Sequence, residues 1–431
     1  MSGNRAFPDE EFAARLEAVR EHMARRELDA CLLAAPENVY YLTGLDHMGY
    51  FAYEMLIVPL EGEPVLITRA MEQATVRDQV PGMRHVGYSD GVPPLPAPRD
   101  PAEDIHLAGQ DEEGNPYGLR PWEMSAGVAV RGPIADHADP AVRATVDALC
   151  DAGLERARLG LEESCSFLPY RIARRLVESL PDARWEDSSG LVDDCRLVQS
   201  PLELEYTRQA AAVSDSMLLA AIAAAGPGVW ERDVMAAIYD ALFRRGGTYP
   251  GFVPLVRSTR TLEHEHGTWQ AGKLEEGDLL FLEMAGCLRR YHAPVGRLVF
   301  IGSSPPDAEA IAEICRHAQD AAAARLAPGV TADQVYRAWQ EVVDGAGLAR
   351  YRRHHCGYAV GIGFPPSWSG GGVPRGLRAG SSLELREGMV FHLMSWLLRT
   401  GEGDSFLSDT VVVTADGCER LTTVQRTVTV R

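Results

Sequence analysis

The sequence has no apolar run that approaches the ~18 residues of a membrane span, so no membrane partner is expected. Its first residues, Met1-Ser-Gly-Asn-Arg5, include no apolar signal region, which points to a cytoplasmic protein. Positive charge is scarce: 42 Lys and Arg stand against 61 Asp and Glu, a formal net charge of −19. That balance argues against nucleic acid or anionic lipid as a partner. The eight cysteines are scattered and show no C-x-x-C spacing. They read as free thiols in a reducing compartment rather than a metal cluster or a disulfide framework. What the chain does have is length and apolar content. Its 431 residues, 46% of them hydrophobic, suffice for two or three domains with a large core.

The first 190 or so residues alternate helix and strand patterns. Arg15 to Glu27 is amphipathic, and Leu28-Asp-Ala-Cys-Leu-Leu33 follows. Met55-Leu-Ile-Val58 and Val65-Leu-Ile-Thr68 flank Glu61-Gly62, a hairpin signal. Val92 to Pro101 holds five prolines and reads as loop. Asp139 is expected to cap a helix from Pro140 to Arg158, and Leu168 to Leu180 reads as another. Ser200-Pro-Leu-Glu203 has capping-box spacing and opens a long Ala-rich helix to Ala225. We place a domain boundary just before it, within Leu191 to Gln199, giving domains of residues 1–195 and 196–431.

The second domain contains a repeat. Gly277-Asp-Leu-Leu-Phe-Leu-Glu283 returns as Gly388-Met-Val-Phe-His-Leu-Met394, and Pro227-Gly-Val229 returns as Pro328-Gly-Val330. Each copy reads as helix, helix, hairpin, and two such halves would enclose a cleft. In the first hairpin, Leu279 to Met284 is an apolar strand, Ala285 to Leu288 the turn and Tyr291 to Phe300 the return. A carboxylate amid an apolar strand is costly, so Glu283 needs a partner or a task.

This layout resembles the pita-bread fold of the creatinase, prolidase and methionine aminopeptidase superfamily. Its marks are Gly277-Asp278, Tyr291 with Arg297 six residues on, Gly357-Tyr-Ala-Val-Gly361, Gly388-Met389 and Asp409-Thr-Val-Val-Val-Thr414. Pro36-Glu-Asn38 and Tyr41-Leu-Thr-Gly44 match the N-terminal domain of creatinase and prolidase. The resemblance implies an α+β protein: a creatinase/prolidase-type α/β domain, then a duplicated pita-bread domain. The metallopeptidases of this superfamily hold two metal ions with Asp, Asp, His, Glu and Glu. Those positions fall here on Glu283, Pro294, Tyr358, Met394 and Ser408. One carboxylate remains of five ligands, so no metal and no other cofactor is expected.

Creatinase works without metal, through a histidine twelve residues before the Asp of the strand start; that position is His266. Taken alone, His266 reads as a surface-loop histidine, beside the polar Glu263, His264 and Glu265. The resemblance makes it general base and then general acid. The two Glu positions with which creatinase clamps its substrate are Gly296 and Met394. The chain looks more similar to the ectoine hydrolase group, through Glu283, Arg290-Tyr-His-Ala-Pro294, Gly357-Tyr358, Gly363-Phe-Pro-Pro-Ser-Trp368 and Phe391-His-Leu-Met394. It departs from that group at Ser369-Gly-Gly-Gly372 and Ser395-Trp396.

These readings imply a metal-independent hydrolase of a non-peptide C–N bond in a small cyclic amidine or amide. Glu283 would hold the cation, and Tyr358 or His392 would orient the substrate carboxylate or the intermediate. His292, Trp269, Phe364, Trp368 and Met394 are candidate substrate contacts. Creatinase-like members are homodimers whose N-terminal loop covers the neighbouring cleft, which implicates Phe51 and Tyr53. A lyase, a Xaa-Pro dipeptidase and a non-catalytic binding protein are the alternatives.

Overall fold

The fold was determined as a computed structural model that describes residues 5–88, 135–269, 272–351, 353–370, 372, 374–401 and 403–431. The proline-rich stretch Val92 to Pro101 lies outside the described residues. Helix α1 (Asp9–Arg25), strand β1 (Ala30–Leu33) and α2 (Pro36–Thr43) are followed by β2 (Met55–Pro59), β3 (Val65–Arg69), α3 (Gln73–Gln79) and β4 (Arg84–Tyr88). After the undescribed stretch come α4 (Ala135–Asp151), β5 (Arg158–Leu161), α5 (Tyr170–Ser179), β6 (Arg184–Asp187) and α6 (Leu191–Arg196). The six strands form one mixed sheet in the order β4-β3-β2-β1-β5-β6. The helix expected to start at Pro140 starts at Ala135 and has Pro140 inside it. It ends at Asp151, and Arg158 opens a strand instead. The proposed boundary segment is largely the helix α6.

The second half opens with α7 (Pro201–Ala224), whose Ser200/Glu203 capping box is formed as expected. Then follow α8 (Glu231–Arg244), β7 (Leu255–Ser258), β8 (Leu279–Leu288) and β9 (Tyr291–Phe300). The second copy supplies α9 (Ala308–Ala323), α10 (Ala332–Gly345), β10 (His355–Ala359), β11 (Gly376–Arg378), β12 (Val390–Leu397) and β13 (Ser405–Thr414). Short strands β14 (Gly417–Arg420) and β15 (Thr429–Val430) pair with β13 and β9. The main path is β11-β10-β12-β13-β9-β8-β7, antiparallel throughout. The β8–β9 turn is tighter than the sequence suggested. Only Arg289 and Arg290 form it, both at positive φ (48° and 67°), as a two-residue hairpin loop with right-handed strand twist demands.

Alternation sets the two faces of this sheet. Leu280, Leu282 and Met284 pack with α7 and α8 in one core; Phe391, Leu393 and Leu397 pack with α9 and α10 in another. Gly286 is fixed by this packing, because a Cβ there would sit 2.4 Å from the Ala210 carbonyl. The residues between point to the opposite face. The first sheet docks through buried polar contacts. The Arg15 guanidinium lies 3.5 Å from the Glu203 carboxylate, which also accepts the Tyr291 hydroxyl at 2.7 Å. Tyr40 donates to the Arg289 carbonyl at 2.7 Å.

Candidate active site

Register aligns the inward-facing residues in rows across the antiparallel strands. Leu255, Glu283, Gly296, Ser408 and Met394 form one row. Arg257, Phe281, Leu298, Phe406 and Trp396 form the next. Tyr358, His392 and Thr410 form a third. Gly296 is required in its row: a Cβ there would lie 2.4 Å from the Phe406 ring. The aromatic side chain therefore fills the space into which a longer residue would project. A cavity of about 500 Å³ sits on these rows. Phe252, Trp368 and the loop carrying Glu265 and His266 wall it, as do Arg353, His354 and His355.

Glu283 is 7% exposed and lines this cavity. No described residue donates a hydrogen bond to it; its nearest basic neighbour, His392 Nδ1, is 3.8 Å away. Burial pushes the Glu283 carboxyl up to about 7, against the pull of Arg257. His392 is fully buried, and burial holds its imidazole neutral, down at about 3. Its Nε2 lies 2.7 Å from Ser408 Oγ and its Nδ1 3.2 Å from the Tyr358 hydroxyl. Trp368 Nε1 donates to that hydroxyl at 2.9 Å, and burial raises the Tyr358 phenol well above its ordinary range. With the proton on Nδ1, His392 and Trp368 would both donate to Tyr358 and leave its O–H to the cavity.

His266 stands exposed at the rim, its ring 6.0 Å from Phe252. The loop that carries it is held from beneath: Arg257 Nη1 donates to the carbonyls of Leu262 at 3.2 Å and His264 at 2.6 Å. Beside His266, the Glu265 carboxylate takes both Nη groups of Arg353 at 3.3 Å. Arg353 also stacks on Trp396, 4.6 Å from its centroid.

His266, Glu283, Tyr358, Trp368 and Met394 thus line one cavity, and His392 backs it. Other expected contacts lie elsewhere. His292 is fully buried, accepting from the Gly251 N–H at 2.8 Å and facing the Gly361 carbonyl at 3.3 Å; burial drops it to about 3. It fastens loops. Phe364 packs edge-on against Tyr40 and Tyr50 between the two sheets. Trp269 is 39% exposed and outside the lining. Tyr53 is core of the first sheet, its hydroxyl 2.8 Å from Thr145, so it has no free face for a neighbouring chain. Phe51 is 66% exposed beneath the Arg69 guanidinium. Arg257 and Arg353 escaped the sequence reading. Alternation from Glu283 would have flagged Phe281 and hence its partner Arg257, had strand β7 been recognised in the segment after Pro254.

The five positions where the superfamily's peptidases place metal ligands do gather on this face. Their donors are one carboxylate, a phenol already bonded to Trp368, a thioether, a hydroxyl bonded to His392, and Pro294, which has none. That set does not fit a pair of hard divalent ions. Among the described residues, no three His, Cys, Asp or Glu side chains converge as a metal site.

Comparison with known proteins agrees with this anatomy. The profile of the Creatinase/Prolidase N-terminal domain matches residues 15–198, and that of Metallopeptidase family M24 matches 205–415. The chain is 27% identical over 428 residues to the ectoine hydrolase of Halomonas elongata, covering 96% of each. It is 26% identical over 268 residues to a Xaa-Pro dipeptidase of Pyrococcus horikoshii, covering 62% of this chain and 74% of that one. The crystal structure of dipeptidase PepE from Mycobacterium ulcerans superposes with a TM-score of 0.73 at 22% identity, covering 99% of both chains.

Proposed function

For this chain, which belongs to the creatinase/prolidase superfamily of hydrolases, we propose a metal-independent hydrolase acting on a non-peptide C–N bond of a small cyclic amidine or amide. Ectoine or a related cyclic amidine is the leading substrate. The observation that supports this most is Glu283: a buried carboxylate facing the cavity with no hydrogen-bond donor among the described residues. A protonated amidine would supply the missing partner, and its charge would draw the carboxyl to its ionised form. Its planar, electron-poor carbon is open to water. His266 takes the water proton and returns it to the leaving nitrogen. Tyr358 donates to the developing oxygen. A metal-dependent dipeptidase finds no adequate ligand set in these residues.

The test is conversion of a panel of cyclic amidines and amides by the purified protein, read by mass spectrometry, with and without chelator. We expect a product heavier by one water and no loss of rate on chelation. His266→Ala should cut turnover by about 10²–10⁴-fold with little change in melting, since the side chain leaves no core cavity. A product of unchanged or lower mass would replace this reading with a lyase. Binding without any product would make the chain a binding protein. We further propose a homodimer in which the exposed Phe51 covers the neighbouring cavity; a monomer by light scattering at micromolar concentration would remove that part.

A further inference from the structure

Arg257 has a feature that pinning a loop does not explain. It is 3% exposed and lines the cavity, yet only Nη1 is satisfied. Nε is buried with no partner, while Nη2 is not fully buried and makes no hydrogen bond or ion pair among the described residues. A buried guanidinium with free N–H groups is costly unless an acceptor arrives. The obvious acceptor is Glu283, on the same face one diagonal away, since Arg257 pairs with Phe281 and Leu255 with Glu283. Diagonal neighbours are about 7–8 Å apart, and no ion pair joins these two. The reason is visible. Nη1 is tied to two carbonyls, and the guanidinium carbon stands over the Phe281 ring, 4.1 Å from its centroid. The ring keeps cation and anion apart. One cavity therefore presents an unpaired carboxylate and an unpaired guanidinium, separated by an aromatic floor.

We propose that Arg257 is a specificity-determining residue that binds a carboxylate of the substrate, so that the cavity selects a small zwitterion with its anion a ring's width from its cation. This rests on the reading of Glu283 as the cation holder. Arg257 donates through Nε and Nη2 in the side-by-side geometry that guanidinium and carboxylate share. The His355 imidazole, whose Nδ1 is likewise buried and unpartnered, lines the same cavity. A substrate with both charges satisfies both poles at once. One lacking the carboxylate leaves the guanidinium desolvated and unpaired, a strong basis for rejection.

Calorimetric titration of matched pairs tests this. The probes are ectoine, a methyl-tetrahydropyrimidine carboxylate, against the same ring without its carboxylate, and guanidinoacetate against methylguanidine. The wild-type protein should bind the acid of at least one pair about tenfold or more tighter than its partner. Arg257→Met should erase that ratio, whereas Arg257→Lys should keep part of it. The ratio is the informative readout, because a merely loosened His266 loop would weaken both members alike. Glu283→Gln should weaken both members of a pair and leave their ratio standing. Equal binding of acid and partner, no binding of either acid, or an unchanged ratio in Arg257→Met would overturn the proposal. An Arg257-dependent preference without hydrolysis of any bound acid would leave the subsite standing and remove the hydrolase reading.

Discussion

Glu283 sets function against stability within a single side chain. Its carboxyl titrates at about 7 in the fold, whereas an ordinary glutamate titrates at 4.5. Between those values the folded chain holds a proton that the unfolded chain has released, so stability falls as pH rises through this window. Glu283→Gln removes the ionisation. The substitution should therefore stabilise the protein at pH 8 relative to pH 5, by an amount on the order of 3 kcal/mol at most. Urea unfolding at the two values measures the difference; an equal effect at both would mean that the carboxyl is not strained by burial. The same variant should bind a cationic amidine more weakly, and increasingly so as pH is raised from 5 to 8.

At the scale of elements, the hairpin β8–β9 is held to β13 by Arg297. Its guanidinium meets Asp409 at 2.9 Å and donates to the carbonyls of Ser408, Gly296, Gln425 and Val424. Arg297→Met leaves Asp409 buried without its cation and should cost about 3–5 kcal/mol in denaturant unfolding. A loss below about 1 kcal/mol would show that the Thr422 hydroxyl, which donates to Asp409, suffices to hold it. Elements of this kind were legible in the sequence. The duplicated Gly-Asp/Gly-Met strand starts, the Ser200/Glu203 capping box and the alternation that aims Glu283, His392 and Met394 to one side follow from local chemistry. What local chemistry does not contain is which distant strand arrives beside it. Strand β7 hid behind Pro250 and Pro254, and with it Arg257. The turn was misplaced because two arginines occupy positions where glycine or asparagine would be the usual signal. His292 and Phe364 sit in motifs beside the cleft, but their side chains turn to loops and to the first sheet. Periodicity of their own strand or loop could not reveal this.

For the whole molecule, buried titratable groups oppose one another. Burial pushes Glu37, Glu162 and Glu283 up to about 7, so each loses stability as pH rises from 4.5 to that value. Burial pushes His292 and His392 down to about 3 and His355 down to about 4, against an ordinary 6.5. Each of these loses stability as pH falls below 6.5, because the unfolded chain takes up the proton first. Between about 4.5 and 6.5 the two slopes oppose, and on either side one acts alone. The melting temperature should hence show a plateau in that interval and fall on both flanks. A melting temperature that climbs steadily to pH 8 would contradict the burial of the three carboxyls.

The contact of Arg15 with Glu203 and Tyr291 has a consequence for how the chain can be divided. Glu203 also closes the capping box of the helix that begins the second half. Residues 201–431 expressed alone would begin at that helix without the guanidinium that neutralises its first buried carboxylate, and without the Ser200 cap. The fragment would start with a frayed helix end and an orphaned anion at its newly bared surface. The half that holds the cavity is consequently not a portable enzyme: it borrows a counterion from the other half.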